Sequence, residues 1–274
     1  RNSINQIWIR KRYLIDTDED KHNMKKVGFL GCGKIGKALA KHLIESGEGE
    51  ITFVQDPGFV NDLKLSCPVL SQADETLLAQ TDLVIECATA NVLKANLELI
   101  LKHCDLMLFS VTTFSEKETE EKIRTLCKEY GHKVYIPHGA ILGIDGIFDG
   151  HKIWNEVHIT TTKSPKSLGR TDTERTLVYD GPTRAVCSLY PRNVNVHACI
   201  ALAGIGFDKT HSTIISDPAV STNAHLIALK GDGMDITLDI SSYANGAVTG
   251  AYTPHSACGS LDRVLAAEGA LRFV

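Results

Sequence analysis

The chain has 274 residues, and its 29 Lys and Arg against 33 Asp and Glu give a formal net charge of −4 at pH 7. This mild acidity argues against a nucleic-acid-binding protein, which needs a basic surface. No apolar run approaches the roughly 18 residues of a membrane span. Hydrophobic residues make up 43% of the chain, an ordinary globular value, and the length favours two domains with packed cores.

The N-terminal segment and the cysteines each lead to a separate prediction. Residues 1–23 are charged throughout and lack the apolar segment of a signal peptide. We expect them to be a leader or flexible extension, with Met24 as the natural start. The eight cysteines form no CxxC pair, which argues against a zinc site, and no metal site is predicted. Free thiols favour a reducing compartment, so a cytoplasmic protein is expected.

Short apolar runs alternate with helical periodicity from residue 26 to residue 136. In the first helical stretch, Ile35, Leu39 and Leu43 recur four residues apart. The pattern predicts strands at 26–30, 50–55, 82–86, 105–111 and 133–136, and helices at 34–46, 73–79, 90–103 and 115–130. Strands separated by helices of this length form βαβ units, which predicts a Rossmann-type, doubly wound parallel sheet of the α/β class.

The pattern changes after Gly139, where strand-like segments follow one another with fewer helices. Strands are predicted at 156–162, 175–179, 210–216, 223–229 and 234–240, and helices at 182–189, 193–206 and 256–267. This order favours a smaller α+β domain with a mixed or antiparallel sheet and helices on one face. We therefore expect a dinucleotide-binding domain at 24–138 and a substrate and catalytic domain at 139–274. The final helix could pack back on the first domain.

The sharpest local motif is Gly31-Cys32-Gly33-Lys34-Ile35-Gly36, a GxGxxG run between a predicted strand and a predicted helix. In this context Gly31 permits a tight turn, and Gly33 lets a pyrophosphate approach the backbone. Gly36 lets the helix pack closely on the strand. The free N–H groups at the helix start would bind the phosphates. The alternative is a glycine-rich turn that binds no ligand.

Two further strand ends are predicted to border the same cofactor. Asp56 follows the second strand, 25 residues after Gly31, where a carboxylate accepts hydrogen bonds from the adenosine ribose and repels a 2′-phosphate. This predicts a preference for NAD, with NADP as the alternative. Because Pro57 and a glycine follow, Asp56 could also serve as a turn residue. Cys87 and Ala88 follow the third strand, at the edge where ligands bind in such sheets.

Five blocks, in this order, resemble the L-aspartate dehydrogenase family over nearly the whole chain from residue 26. They are GCGKIG at 31–36, ECATA at 86–90, HGAILGIDGIF at 138–148, YPRNVNV at 190–196 and NAHLIAL at 223–229. The resemblance implies NAD(P)-dependent oxidative deamination of L-aspartate to iminoaspartate, which water converts reversibly to oxaloacetate and ammonia. It also implies a link to NAD biosynthesis and a homodimer formed through the second domain. It places the catalytic histidine at His225 and nicotinamide contacts at Ala140 and Asn195.

The residues themselves leave alternatives open at several of these positions. His225 could be a base, since histidine titrates near neutral pH, or a structural histidine in a strand. An asparagine amide at a helix start could hold the nicotinamide carboxamide or cap the helix. The register of the family motif favours Asn195 as the ligand and Asn193 as the cap. Asp145 could orient a catalytic group or shape a turn. Three further histidines are given structural roles: His138, His197 and His211.

Residue spacing in the sequence does not identify which cation binds the substrate carboxylates. Four cations are candidates: Lys163, Lys166, Arg170 and Arg192. The segment from 241 to 255 departs from the family's Asn-Pro-Lys-Thr-Ser pattern, which puts a lysine from that segment, and strict aspartate specificity, in question. Dihydrodipicolinate reductase is disfavoured, since its His-His and Lys-x-Asp-Ala-Pro-Ser-Gly blocks are absent. A homoserine dehydrogenase-like oxidoreductase and a non-catalytic NAD-binding sensor remain alternatives.

Overall fold

A computed structural model describes residues 24–244 and 247–266 of the chain. The predicted leader, residues 1–23, lies outside the described residues. Two β-sheets organise the described part, one of six strands and one of five. Across the described ranges, no helix combines the length and apolar character needed to cross a membrane.

The first sheet contains six parallel strands in the order β3-β2-β1-β4-β5-β6. The strands are β1 Lys25–Leu30, β2 Gly49–Gln55, β3 Val69–Leu70, β4 Leu83–Glu86, β5 Asp105–Leu108 and β6 Val134–Tyr135. The intervening helices are α1 Lys34–Ser46, α2 Glu75–Leu78, α3 Ala90–His103 and α4 Lys117–Tyr130. The prediction of a doubly wound parallel sheet is therefore confirmed.

Separate apolar cores cover the two faces of this sheet. Leu39 and Leu43 of α1 belong to one core, and Leu93 and Leu97 of α3 belong to the other. The order in which successive strands join the sheet reverses between β1 and β4, which are parallel neighbours. In such folds this reversal opens a crevice at the carboxyl ends of the strands, which is where ligands bind.

One local prediction in this half was wrong. The strand expected at 105–111 ends at Leu108, and a 3₁₀ helix covers Val111–Ser115. The strand ends because the backbone N–H of Ser110 donates to the Glu86 side chain instead of continuing the sheet. A short helix, α5 Ile144–Asp149, contains Asp145. It follows Gly143, whose φ of +78° suits glycine.

The second sheet has the order β11-β10-β7-β9-β8. Its strands are β7 Trp154–Lys163, β8 Thr176–Pro182, β9 His211–Ser216, β10 Thr222–Gly231 and β11 Met234–Tyr243. The β7–β9 pair is parallel and the other pairs are antiparallel, so the sheet is mixed, as predicted. The helices α6 Thr183–Leu189 and α7 Asn195–Ala203 lie against its apolar face.

The last helix returns the chain to the first sheet. This helix, α8 Thr253–Leu265, packs Ala257, Leu261 and Leu265 into the core that also contains Leu39 and Leu43 of α1. The C-terminal part of the chain is therefore anchored on the helix that follows the glycine motif. This packing helps to place the segment between β11 and α8 along the cleft described below.

Candidate active site

The glycine motif forms the turn between β1 and α1. Gly31 has a φ of +83°, and a Cβ atom there would lie 2.8 Å from Ala88. A Cβ on Gly36 would lie 2.9 Å from the carbonyl oxygen of Gly31, so this position also excludes a side chain. A Cβ on Gly33, in contrast, would meet no protein atom within 4 Å. The turn is thus closed on its protein side and open to a ligand at Gly33.

The start of α1 offers unpaired donors beside this opening. The first backbone N–H groups of an α-helix have no partner within the helix, and Gly33, its N-cap, supplies no side-chain acceptor. Lys34 and Gly33 are exposed. These N–H groups and the helix dipole fit a pyrophosphate. The local geometry therefore suits a dinucleotide cofactor.

Asp56 braces the same turn from the end of β2. Its Oδ2 accepts a hydrogen bond from the backbone N–H of Cys32 at 2.9 Å, and its Oδ1 accepts one from Gly58 at 2.9 Å. An ionised carboxylate has about four acceptor positions, so capacity remains for ribose hydroxyls. The Cys32 side chain is buried, and burial together with Asp56 raises the pKa of its thiol to about 11. The buried Cys32 side chain therefore packs inside the turn.

A buried glutamate holds the neighbouring strand ends. Glu86 is fully buried and accepts hydrogen bonds from the backbone N–H groups of Ala88, Ser110 and Phe109 at 2.8, 2.9 and 3.2 Å. The Ser110 hydroxyl donates a fourth bond at 2.8 Å. Burial raises the pKa of Glu86, and these donors oppose the shift. The carboxyl group thus fixes the loop of Cys87 and Ala88 against the glycine turn.

An open cleft lies beside these strand ends and extends to the second sheet. Four of the predicted site residues line it: Ile35, Ala140, Asn195 and His225. The other predicted residues do not line the cleft. They lie at the glycine turn and the ends of β2 and β4: Gly31, Cys32, Gly33, Lys34, Gly36, Asp56, Cys87 and Ala88.

The prediction that Asn193 caps helix α7 was wrong. The N-cap residue is Val194, and no side chain caps this helix. Asn193 belongs instead to the preceding turn, where its backbone N–H donates to Tyr190 at 2.9 Å. Asn195 begins the helix, and its Oδ1 accepts a hydrogen bond at 3.2 Å from the backbone N–H of Thr112, in the 3₁₀ helix after β5. Asn195 therefore links the two halves of the site.

The structure separates the four candidate cations. Arg170 is paired with Asp172, and Lys166 is exposed and does not line the cleft. Arg192 lines the cleft but is exposed. Lys163 lines the cleft and is only 4% exposed.

Lys163 is a buried cation without a carboxylate partner in the described part of the chain. Its Nζ donates to the carbonyl oxygen of Asn193 at 3.3 Å. Burial lowers the pKa of Lys163 from 10.5 to about 8. Most of these side chains are therefore charged at pH 7, and a buried charge is stabilised by an anionic ligand. Lys163 is the strongest candidate for holding a substrate carboxylate.

His225 and Asn223 lie on the face of β10 that lines the cleft. Burial, and to a lesser extent the charge of Lys163, lowers the pKa of His225 to about 3, so the imidazole is neutral. The Asn223 side-chain N–H donates to Val248 at 3.0 Å, which assigns the orientation of the amide. Its Oδ1 is buried without a partner among the described residues, as is Oδ1 of Asn193. Both oxygens can accept hydrogen bonds from an ammonium group.

Sequence reasoning did not single out Lys163 or Asn223, although strand periodicity carries a signal for both. Side chains two residues apart share one face of a strand. Lys163 is therefore in phase with the buried Val157 and Ile159 of β7, and Asn223 is in phase with His225. A polar residue in the buried phase of a strand requires a partner, and here the cleft supplies the place for one.

Comparison with known proteins relates both halves of the chain to dehydrogenases. Residues 149–264 match the family model described as aspartate dehydrogenase, C-terminal, and residues 31–137 match the NAD-binding domain of homoserine dehydrogenase. The L-aspartate dehydrogenase of Methanosarcina mazei is 33% identical over 76% of this chain and 84% of that protein. That of Methanococcoides burtonii is 34% identical, with the same coverage.

A solved structure shares the whole architecture. The crystal structure of aspartate dehydrogenase from Thermotoga maritima matches with a TM-score of 0.74 and 27% identity. The match covers 92% of this chain and 100% of that one. The resemblance found in the five sequence blocks is thereby confirmed. By its matched sequence and its two-sheet architecture, the chain belongs to the L-aspartate dehydrogenase family.

Proposed function

We propose that the protein catalyses the NAD(P)-dependent oxidative deamination of L-aspartate to iminoaspartate, which water hydrolyses to oxaloacetate and ammonia. The observation that carries this proposal is the convergence of Lys163, Asn223 and His225 on one cleft beside the glycine turn. A buried cation, an unpaired amide oxygen and a neutral imidazole match the carboxylate, the amine and the proton-transfer step of an acidic amino acid.

Each charged group of the substrate has its own partner in the cleft. The ammonium of Lys163 pairs with one substrate carboxylate, and Arg192, at the exposed side of the cleft, is placed to meet the second. Oδ1 of Asn223 and Oδ1 of Asn193 accept hydrogen bonds from the substrate amine. A substrate lacking the amine or one carboxylate leaves a buried polar group unpaired, and this is the basis for discrimination.

Oxidation requires a neutral substrate nitrogen, because hydride leaves Cα as the C=N bond forms. The imidazole of His225 accepts the proton released by the substrate ammonium. Burial is the main cause of the lowered pKa of His225, and pairing of Lys163 with a carboxylate offsets the smaller contribution of the Lys163 charge. A bound NAD would supply the acceptor for the hydride that leaves Cα. The same imidazole then assists the addition of water to the imine carbon, and ammonia leaves.

The proposal is tested by absorbance at 340 nm with L-aspartate and NAD, and in reverse with oxaloacetate, ammonia and NADH. The variant His225→Asn should lower kcat by about 10²-fold to 10⁴-fold, the usual contribution of a general base. His151→Asn, at an exposed residue that does not line the cleft, is the matched control. Turnover of homoserine but not aspartate would favour the homoserine dehydrogenase alternative, and cofactor binding without turnover would favour a sensor.

The cofactor proposal assigns specific roles to residues at both ends of the site. Asp56 is placed to bind the adenosine ribose and to disfavour a 2′-phosphate, so we expect higher kcat/KM with NAD than with NADP. Equal efficiency with both cofactors would contradict this role. Ala140 and Asn195, which line the cleft, are proposed to contact the nicotinamide.

The open face of the second sheet is proposed to form a homodimer. Three large side chains on this face are exposed: Leu177, Leu226 and Tyr243. Apolar groups of this size on one sheet face are typical of an interface. Sedimentation should give twice the chain mass of 29.9 kDa, and Leu226→Asp should shift it towards the monomer.

The free cysteines and the net charge of −4 support two broader proposals. These are a cytoplasmic location and the absence of a nucleic-acid partner. Cell fractionation tests the first proposal, and a gel-shift assay at low salt tests the second.

A further inference from the structure

A continuous chain of buried hydrogen bonds leads away from His225 on the side opposite the cleft. Nδ1 of His225 lies 2.8 Å from the hydroxyl of Thr161, its neighbour across the β10–β7 pair. The same hydroxyl lies 2.7 Å from Nε2 of His197, in α7. Nδ1 of His197 lies 2.9 Å from the hydroxyl of Ser212, in β9. All four side chains are at least 98% buried.

The far end of this chain reaches a backbone carbonyl. The hydroxyl of Ser212 lies 2.6 Å from that of Thr183, the first residue of α6. The hydroxyl of Thr183 donates at 3.0 Å to the carbonyl oxygen of Thr210. A carbonyl can only accept a hydrogen bond, so this last contact has one possible direction.

That direction determines every other proton in the chain, because each hydroxyl and each neutral imidazole carries one proton. Thr183 gives its proton to the carbonyl, so Ser212 must donate to Thr183. His197 must then donate from Nδ1 to Ser212, which leaves its Nε2 as an acceptor for the proton of Thr161. The hydroxyl of Thr161 therefore accepts from Nδ1 of His225.

We propose that Thr161, His197, Ser212 and Thr183 are positioning residues that hold His225 as the Nδ1–H tautomer, with Nε2 unprotonated towards the cleft. The inference rests on the proposed role of His225 as the base. With Nδ1 occupied by Thr161, Nε2 makes no hydrogen bond within residues 24–244 and 247–266. The opposite tautomer would present a donor to the substrate ammonium and could not accept its proton.

The chain acts by positioning rather than by carrying protons out of the site. Its last group is a carbonyl, which cannot take up and pass on a proton, and its members are shielded from solvent. Burial, with His225 and Lys163 nearby, lowers the pKa of His197 well below its usual value, so His197 stays neutral and donates from one nitrogen. A proton taken up by Nε2 of His225 therefore returns to the cleft.

The tautomer can be read directly by long-range ¹H–¹⁵N NMR of the full-length protein labelled with ¹⁵N-histidine. His225→Asn and His197→Asn identify the two signals. We expect His225 and His197 both to be protonated on Nδ1. In Thr161→Val, which removes the hydroxyl at nearly constant shape, His225 should shift towards the Nε2–H form. The kcat should fall by about 10-fold to 10²-fold, with little change in KM for aspartate.

Thr161→Ser, which keeps the hydroxyl, is the matched control and should retain both the tautomer and most of kcat. If Thr161→Val does not fold, the tautomer of His225 in the wild-type protein and in Ser212→Ala tests the proposal. A wild-type His225 protonated on Nε2, or Thr161→Val with the original tautomer and kcat, would overturn the proposal. An Nδ1–H His225 in a protein inactive on L-aspartate would instead refute the proposed function while supporting the tautomer assignment.

Discussion

Replacement of Lys163 by methionine is expected to weaken substrate binding while making the protein more stable. Methionine keeps most of the side-chain volume and removes the ammonium group. A hydrogen bond to a charged group contributes about 1.5–3 kcal/mol. Losing the pairing between this buried ammonium and a substrate carboxylate should therefore raise KM for aspartate about 10-fold to 10²-fold.

The stability change follows from the burial of the charge. The lowering of the Lys163 pKa from 10.5 to about 8 corresponds to about 3 kcal/mol that disfavours the folded, protonated form. Because the folded pKa is the lower one, this penalty is fully present below pH 8 and disappears above pH 10.5. Lys163→Met should thus increase the free energy of unfolding at pH 7 by up to about 3 kcal/mol, with a smaller gain at pH 10.

The assay combines steady-state kinetics with urea unfolding at pH 7 and pH 10. Lys166→Met is the matched control, since Lys166 is an exposed lysine outside the cleft, and it should change neither KM nor stability. An unchanged KM in Lys163→Met, together with unchanged or lower stability, would refute both the carboxylate role and the origin of the lowered pKa.

Three further predictions concern the same site and its support. Succinate, a dicarboxylate without an amine, should bind with constant affinity from pH 6.5 to about pH 7.5. Above about pH 8 its affinity should fall about tenfold per pH unit, because Lys163 deprotonates. A pH-independent Kd from calorimetry would contradict this expectation. Gly33→Ala should fold normally but weaken NAD binding, whereas Gly36→Ala should lower stability, because its Cβ would lie 2.9 Å from the carbonyl oxygen of Gly31. Fluorescence titration measures NAD binding, and thermal unfolding measures stability. An equal loss of stability in both variants would contradict these expectations. Leu261→Ala, at the contact between α8 and α1, should cost about 2–5 kcal/mol of unfolding free energy, and a change below about 1 kcal/mol in chemical denaturation would contradict the packing.

Much of the fold could be predicted because its signals are local. Helix α1 has the predicted bounds, since its apolar spacing and the adjoining glycines lie within one short stretch. The strand expected at 105–111 was too long, because its end depends on Glu86, a residue more than twenty positions earlier in the chain. The domain boundary at 138/139 stays a prediction.

The candidate site, like the fold, could be predicted only in part from the sequence. The glycine turn and Asp56 could be found from spacing, and His225 from the resemblance of its strand to a family motif. Lys163 could not be chosen among four cations, because burial and the absence of a neighbouring carboxylate are properties of the packed cleft. Asn193 was wrongly predicted to be the N-cap, because helix α7 starts one residue later than that role requires.

The sequence by itself determined the order of the elements, the glycine turn and the family, because each depends on residues that lie close together in the chain. The tertiary structure decided which cation is buried, which amide oxygens are unpaired and which nitrogen of His225 carries the proton. That last choice depends on Thr183 and Ser212, which are distant from His225 in the sequence and join it only when α6, β9 and β10 assemble. Hydrogen-bond direction is a property of the complete buried chain, so no local pattern can encode it.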